Sequence, residues 1–156
     1  EILLPDQYVN SIAERLSLYR ELDDLKSTAE LQAFEKRLID RFGPIPNQGV
    51  QLLETIRLRW TAKAIGFEKL ILKNARLACY FVSDPESEYY QGNVFSDALN
   101  YVKQNPKKVT MRQRNDKLTF AFENVQTITD ALERISEISP ALSQQFRHVP
   151  EPTNAQ

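Results

Sequence analysis

The sequence predicts an α+β fold in which a three-helix segment precedes two β-hairpin-plus-helix units. Two observations predict it: apolar residues recur every three or four positions up to residue 66, and they alternate with polar residues in two later stretches. Each hairpin alone would leave an apolar face in water, so we expect one antiparallel sheet covered by helices on one face. A helical segment is predicted over residues 1–66 and a ββαββα segment over residues 67–138. The two segments are expected to form one compact domain, and residues 139–156 to form a polar tail.

The first helix is predicted over about residues 6–26. Its apolar residues are spaced four, four and three apart, which places them on one side of a helix. We expect this stripe to face the core. Its members are Tyr8, Ile12, Leu16 and Tyr19, and Leu18, Leu22 and Leu25 widen it.

The second helix is predicted to begin after Ser27, because Glu30 three residues later completes a capping box. It ends at Gly43, which can adopt a left-handed conformation, and Pro44 cannot continue it. Its apolar stripe is Leu31, Phe34, Leu38 and Phe42.

The third helix is predicted to follow Pro46, over about residues 47–65, and to stop at Gly66. The two hairpins that come next are predicted from alternation of apolar residues around short turns. Two more helices are predicted from helical spacing, one that ends before Pro106 and one over about residues 125–138. The sequence does not determine the order of the strands. The turns are Asn74-Ala75 and Asn115-Asp116.

Composition excludes several classes of protein. The net charge of -1 argues against a domain built mainly to hold nucleic acid, because phosphate binding needs an excess of Lys and Arg. No apolar run approaches the roughly 20 residues of a membrane span, and the start lacks a signal sequence, so we expect a cytoplasmic protein with no membrane partner. Cys79, the single cysteine, is expected to be buried filler in a reducing compartment. Because the chain begins at Glu1, we expect it to be a piece of a longer protein.

Motifs for catalysis are missing from the sequence. The four glycines are scattered and do not form a phosphate-binding loop, and one His, His148, with one Cys cannot make a metal site of the usual kind. Nucleophile-and-base pairs fail for the same reason. We therefore expect no catalytic, cofactor-binding or metal-binding residue, and a chain that is not an enzyme.

A charged group at the end of the second helix is the first candidate site. An ideal 100° step places Asp40 almost opposite the apolar stripe, so its carboxylate should face outward. Arg37 and Arg41 lie one turn apart beside the stripe. A partner could bind this fixed set of charges, and the competing explanation is a local pairing of Lys36 with Asp40.

Basic residues around the second hairpin form the other candidate site. With Tyr101 nearby, they could hold a single nucleic-acid strand by charge and stacking. They could equally be a solvated hairpin edge that resists association with other strands, which is the interpretation we favour. They are Lys103, Lys107, Lys108, Arg112, Arg114 and Lys117.

The run from Leu38 to Pro46, which reads Leu-Ile-Asp-Arg-Phe-Gly-Pro-Ile-Pro, resembles a distinctive corner in the C-terminal domain of bacterial transcription-repair coupling factors. The resemblance is strongest over residues 1–72. Other matching residues are Pro5, Tyr8, Val9, Arg15, Leu16, Tyr19, Arg20, Leu52, Leu53, Arg57 and Gly66.

The resemblance implies a non-catalytic, autoinhibitory domain of an ATP-driven translocase that removes stalled RNA polymerase from DNA. In that family the domain docks on a UvrB-like module of the same polypeptide and masks the surface that recruits UvrA, while ATP and Mg²⁺ bind other domains. The docking contact acts as a clamp that holds the enzyme closed, and the matched residues at this clamp are Asp40 and Arg41. Arg37 stands where relatives often carry an acid. The alternative is a nucleic-acid-binding module that uses Lys107, Lys108, Arg112 and Arg114.

Overall fold

The computed structural model describes residues 2–148, and their mixed α+β architecture confirms the predicted fold class. The described residues group into two compact units, 2–53 with 145–148 and 54–144. In chain order the elements are α1 (Ile12–Asp24), α2 (Thr28–Phe42), α3 (Asn47–Ile65), β1 (Phe67–Lys73), β2 (Arg76–Phe81), a 3₁₀ turn (Glu88–Gln91), α4 (Asn93–Gln104), β3 (Thr110–Arg114), β4 (Lys117–Glu123), α5 (Ile128–Ser136) and α6 (Pro140–Gln144).

Helix α1 begins later than the sequence pattern predicts. The Ser11 hydroxyl accepts a hydrogen bond from the Glu14 backbone N–H, which caps the helix at that point. Tyr8 belongs to the preceding turn, where its N–H donates to the Pro5 carbonyl. Tyr8 therefore lies outside the helix whose apolar stripe it was predicted to begin.

The predicted apolar stripe of α1 is correct in part. Ile12 is 67% exposed and Leu16 is 47% exposed, whereas Leu18 and Leu22 are buried. Leu18 lies about 160° around the helix from Leu16, so the core contacts the side of α1 that carries the widening residues Leu18 and Leu22.

Helix α2 follows the predicted pattern closely. The Ser27 hydroxyl accepts from the Glu30 N–H at 3.1 Å, as a capping box requires. The Glu30 carboxylate accepts from the Lys26 N–H at 2.8 Å, one residue before the position that the motif predicts. The buried residues of the helix are Leu31, Phe34 and Leu38.

The sheet is antiparallel with strand order β1-β2-β4-β3, which the sequence pattern left open. Both hairpin turns have positive φ at their two central residues, as type I′ turns require. One face of the sheet packs under α4 and α5, which contribute Ala98, Ala131 and Ile135 to its core. The buried sheet residues of that core are Phe67, Leu77, Cys79, Phe81, Phe120 and Phe122.

The loop before α4 contains a 3₁₀ turn that the sequence pattern did not predict. Tyr89 in this turn donates a hydrogen bond from its hydroxyl to the Ile65 carbonyl, 2.6 Å away. Gly66 leaves room for the ring, because a Cβ at that position would lie 2.2 Å from Tyr89. Burial raises the pKa of Tyr89, so its hydroxyl stays a donor.

The segment predicted to be a polar tail, 139–156, includes helix α6. Ser143 is buried there and donates its hydroxyl to the Ser139 carbonyl at 2.8 Å. His148 lies 3.3 Å from the Glu35 carboxylate. Residues 149–156 lie outside the described part of the chain. Within residues 2–148, none of the helices combines the length and apolar character of a membrane span.

Candidate docking site

Three charged residues, Arg37, Asp40 and Arg41, lie on the last turns of α2 and are called the α2 corner below. The chain leaves the helix at Gly43, whose φ of 85° and ψ of -169° are accessible chiefly to glycine. The Gly43 N–H donates to the Ile39 carbonyl at 2.9 Å, which closes the final turn.

Tyr8 holds the far side of this turn. Its hydroxyl donates to the Gly43 carbonyl at 2.8 Å and lies 3.3 Å from the Leu38 carbonyl. Its ring is 5.7 Å from the ring of Phe42, centre to centre. Burial raises the pKa of Tyr8, so the hydroxyl remains protonated and can donate at neutral pH. The N-terminal turn therefore fixes where the α2 corner points.

Asp40 is the outward-facing member of the α2 corner, as the helical rotation predicts. Its side chain is exposed, and its carboxylate makes neither a hydrogen bond nor an ion pair with any residue between 2 and 148. The local pairing with Lys36 is therefore not formed. The carboxylate is available to a partner.

Both arginines of the α2 corner are held by acids of α1. Arg41 Nη2 lies 2.7 Å from Glu14 Oε1, and Arg37 pairs with Glu21. Arg41 also sits over the Phe42 ring, 4.8 Å from its centre. The arginine side chains are 56% and 53% exposed, and exposed ion pairs contribute only about 0–1 kcal/mol. These pairs can therefore exchange for external ones at low cost.

A cavity of about 80 Å³ lies beside these arginines, between α1 and α2. Leu18, Phe34 and Leu38 give it an apolar floor, and Glu21 and Arg41 lie at its sides. It is far smaller than the roughly 300–1,000 Å³ of sites for small molecules, so it fits at most one small side chain of a partner.

The acids of α1 were not among the residues that the sequence singles out. Glu14 and Glu21 are seven residues apart, which returns them to one side of α1 after two turns. Arg37 and Arg41 are one turn apart on α2. That complementary spacing on consecutive helices is compatible with two interhelical pairs, but it does not specify how the helices pack.

The structure separates the four basic residues predicted at the second hairpin. Arg112 and Arg114 lie on β3 and are exposed. Lys107 and Lys108 precede the strand, and Lys108 Nζ lies 3.6 Å from the Glu137 carboxylate. Only the arginines belong to the sheet. Tyr101 packs against the core, and its hydroxyl donates to Glu137 at 2.9 Å.

A larger apolar groove, of about 680 Å³, lies between α3 and β1. Arg59 and Lys63, which lie one turn apart on α3, line it together with Leu58, Ala62, Leu70 and Leu72. Across residues 2–148, the structure brings no three His, Cys, Asp or Glu side chains together in a way that could hold a metal ion.

Comparisons with known proteins agree with the resemblance seen in the sequence. Residues 1–92 match the family model described as TRCF domain. Over 68 residues, 44% of this chain, it is 40% identical to the transcription-repair-coupling factor of Escherichia coli (strain K12) and spans 6% of that protein. It is 30% identical over 69 residues, again 44% of this chain and 6% of the relative, to that of Rickettsia bellii. Over 57 residues, 36% of this chain and 5% of the relative, it is 42% identical to that of Haemophilus influenzae.

A solved structure supports the fold. The chain superposes on the crystal structure of a C-terminal domain of transcription-repair coupling factor with a TM-score of 0.67. The match covers 89% of each chain at 17% sequence identity, so it concerns the fold alone.

Proposed function

Because this chain belongs to the TRCF domain family, we propose that it is a non-catalytic regulatory domain of a transcription-repair coupling factor. The parent protein is an ATP-driven translocase of transcription-coupled DNA repair in the bacterial cytoplasm. The domain docks through the α2 corner on the UvrB-like module of the same polypeptide and masks the recruitment of UvrA. ATP and Mg²⁺ bind elsewhere in the parent, and the parent links this domain to RNA polymerase and DNA.

The observation that carries the proposal is the exposed, unpaired Asp40 carboxylate on a rigid helix end. A carboxylate in the last turn of a helix faces the negative end of the helix dipole, which is mildly unfavourable. The residue therefore does not stabilise its own helix. A cation on a docking partner gives it a favourable role.

The arginines of the α2 corner define what that partner presents. A guanidinium can bind a carboxylate through two parallel hydrogen bonds, so an acid on the partner can replace Glu14 at Arg41. The complementary surface then carries a cation opposite Asp40 and an acid opposite Arg41. Such alternation of charge specifies one docking orientation.

Regulation requires only that the docked and released states of the parent differ in affinity for this domain. A domain without an active site can control an enzyme in this way, since a ligand shifts an equilibrium by its differential binding energy. A net contact of about 3 kcal/mol makes the closed state more than a hundredfold favoured. Engagement of stalled polymerase on DNA then releases the clamp.

The test mixes this chain with the rest of the parent protein and measures association by titration calorimetry. Asp40→Arg should weaken binding at least tenfold. Asp24→Arg makes the same change of charge at the far end of the α1–α2 pair and should leave affinity within threefold. Equal affinities for the wild type and Asp40→Arg would contradict docking through the α2 corner.

A further inference from the structure

The sheet has a second face, which the helices α4 and α5 do not cover. Side chains alternate along each strand. Leu70 and Leu72 on β1 and Cys79 on β2 point to the core, so their neighbours along each strand point to this open face. The register aligns them in transverse rows. One row is Lys69, Tyr80, Thr119 and Arg112, and the next is Ile71, Ala78, Ala121 and Thr110.

Charge on the open face is strongly one-sided. The strand register places one acid on it, Glu123, whose carboxylate is paired with Arg76 at 3.0 Å. The other acidic strand residue, Glu68, is exposed at the irregularity in the register at the start of β1. The whole chain carries a net charge of -1, so the cations are concentrated here rather than spread evenly. All six basic strand residues of the face are exposed. They are Lys69, Lys73, Arg76, Arg112, Arg114 and Lys117.

These cations flank a low, neutral centre. Strands lie about 4.8 Å apart, so Lys69 on β1 and Arg112 on β3 are separated by about 14 Å across the sheet. In this row the two central strands carry Tyr80 and Thr119, and in the next row they carry the small side chains Ala78 and Ala121. Ala78 is half-buried and Ala121 is 6% exposed, so a flat group can lie over these two residues beside the Tyr80 ring, with Lys69 and Arg112 at the ends of the adjoining row.

Tyr80 supplies an aromatic surface beside the small residues. The Lys69 ammonium lies 5.5 Å from the centre of its ring. An exposed cation–π contact contributes only about 0.5–1 kcal/mol, whereas a base stacked on an aromatic side chain gains about 1–3 kcal/mol. A base can therefore replace the ammonium on the ring, and the ammonium can move to a neighbouring phosphate.

We propose that the open face of the sheet binds single-stranded nucleic acid. Lys69, Arg112 and Arg114 contact phosphates, and Tyr80 stacks on a base. The site is separate from the α2 corner and does not depend on the proposed docking. An acidic peptide would satisfy the cations, but it would leave the ring and the small-residue centre without a matching planar group.

Fluorescence anisotropy with a labelled 20-mer of deoxythymidylate at 50 mM NaCl tests the proposal on this chain. Arg112→Glu with Arg114→Glu should weaken binding at least tenfold. Lys103→Glu with Lys107→Glu makes the same change of charge on exposed residues outside the sheet and should weaken it less than threefold. If the first pair does not fold, Arg112→Gln with Arg114→Gln replaces it and should lower the salt slope by about 1.4, about 0.7 for each phosphate contact.

Two further arms separate base stacking from general attraction of anions. Tyr80→Leu should weaken binding about fivefold with the salt slope unchanged, because it removes stacking and no charge. Unlabelled deoxythymidylate should displace the probe at concentrations at which oligoglutamate of equal length does not. Absence of binding by the wild type, equal losses in the test and control pairs, or displacement by oligoglutamate would each overturn the proposal.

Discussion

The Tyr8 hydroxyl donates a hydrogen bond to the Gly43 carbonyl oxygen, 2.8 Å away and 35 residues later in the chain. This bond joins the N-terminal turn to the residue at which α2 ends. It explains why Tyr8, although it lies outside α1, is partly buried beside Phe42. The position of the α2 corner depends on it.

Replacing Tyr8 with Phe should lower the free energy of unfolding by about 0.5–1.5 kcal/mol, because the ring stays and only the hydrogen bond is lost. Urea unfolding followed by circular dichroism measures the change. Tyr80→Phe is the control, since the Tyr80 hydroxyl has no hydrogen-bond partner within residues 2–148. Equal effects of the two substitutions would refute the role of the Tyr8 bond.

The contribution of Tyr8 should also depend on pH. Burial raises the pKa of Tyr8 in the folded state above its ordinary value of 10.0, so the folded state holds the proton more tightly than the unfolded state. The stabilisation is complete below pH 10 and falls as the pH rises through the folded pKa. The stability difference between wild type and Tyr8→Phe should therefore shrink above pH 10, and a constant difference would contradict this.

Gly43→Ala should cost about 1–3 kcal/mol through backbone strain alone. Its φ of 85° is unfavourable for other residues, yet an added Cβ would meet nothing within 4 Å. Gly92→Ala is the matched control, because Gly92 has a φ of -90° that alanine adopts freely. Thermal unfolding of both variants separates strain from crowding, and a neutral Gly43→Ala would show that the turn can relax.

The Glu14–Arg41 pair should couple weakly. A double-mutant cycle with Glu14→Gln and Arg41→Gln should give an interaction free energy of about 0.2–1 kcal/mol, since both side chains are about half exposed. The coupling should vanish in 1 M salt, where exposed charges are screened. A coupling above about 2 kcal/mol would mean that Arg41 is not free to change partners.

Cys79 should not react with thiol reagents while the protein is folded. It is fully buried, and burial raises the pKa of its thiol, so the reactive thiolate is scarce. Labelling with Ellman's reagent at pH 8 should therefore follow unfolding and become fast in concentrated urea. Fast labelling in buffer alone would show that the core opens locally.

The elements with local signals at both ends were predictable from the sequence. Helix α3 lies between Pro46 and Gly66 and occupies Asn47–Ile65, as predicted. The strand order was not predictable, because the pairing of β2 with β4 joins residues far apart in the chain. In α1 the predicted Leu18 and Leu22 are buried, but Ile12 and Leu16 are exposed, because which side of the stripe meets the core depends on how the helices pack.

At the candidate site, too, some features follow from the sequence alone and others depend on how the helices and strands pack. The outward direction of Asp40 follows from helical rotation alone. The pairing of Arg41 with Glu14 depends on how two helices pack, which no local spacing specifies. The division of the basic hairpin residues into an arginine pair on the sheet and a lysine pair outside it required the register of β3.

The most direct test of regulation measures the ATPase activity of the parent protein in the absence of RNA polymerase, together with its binding of UvrA. If the α2 corner holds the parent closed, Asp40→Arg should raise both severalfold, while Asp24→Arg should leave both at the wild-type level. Wild-type values of both quantities in Asp40→Arg would contradict the clamp.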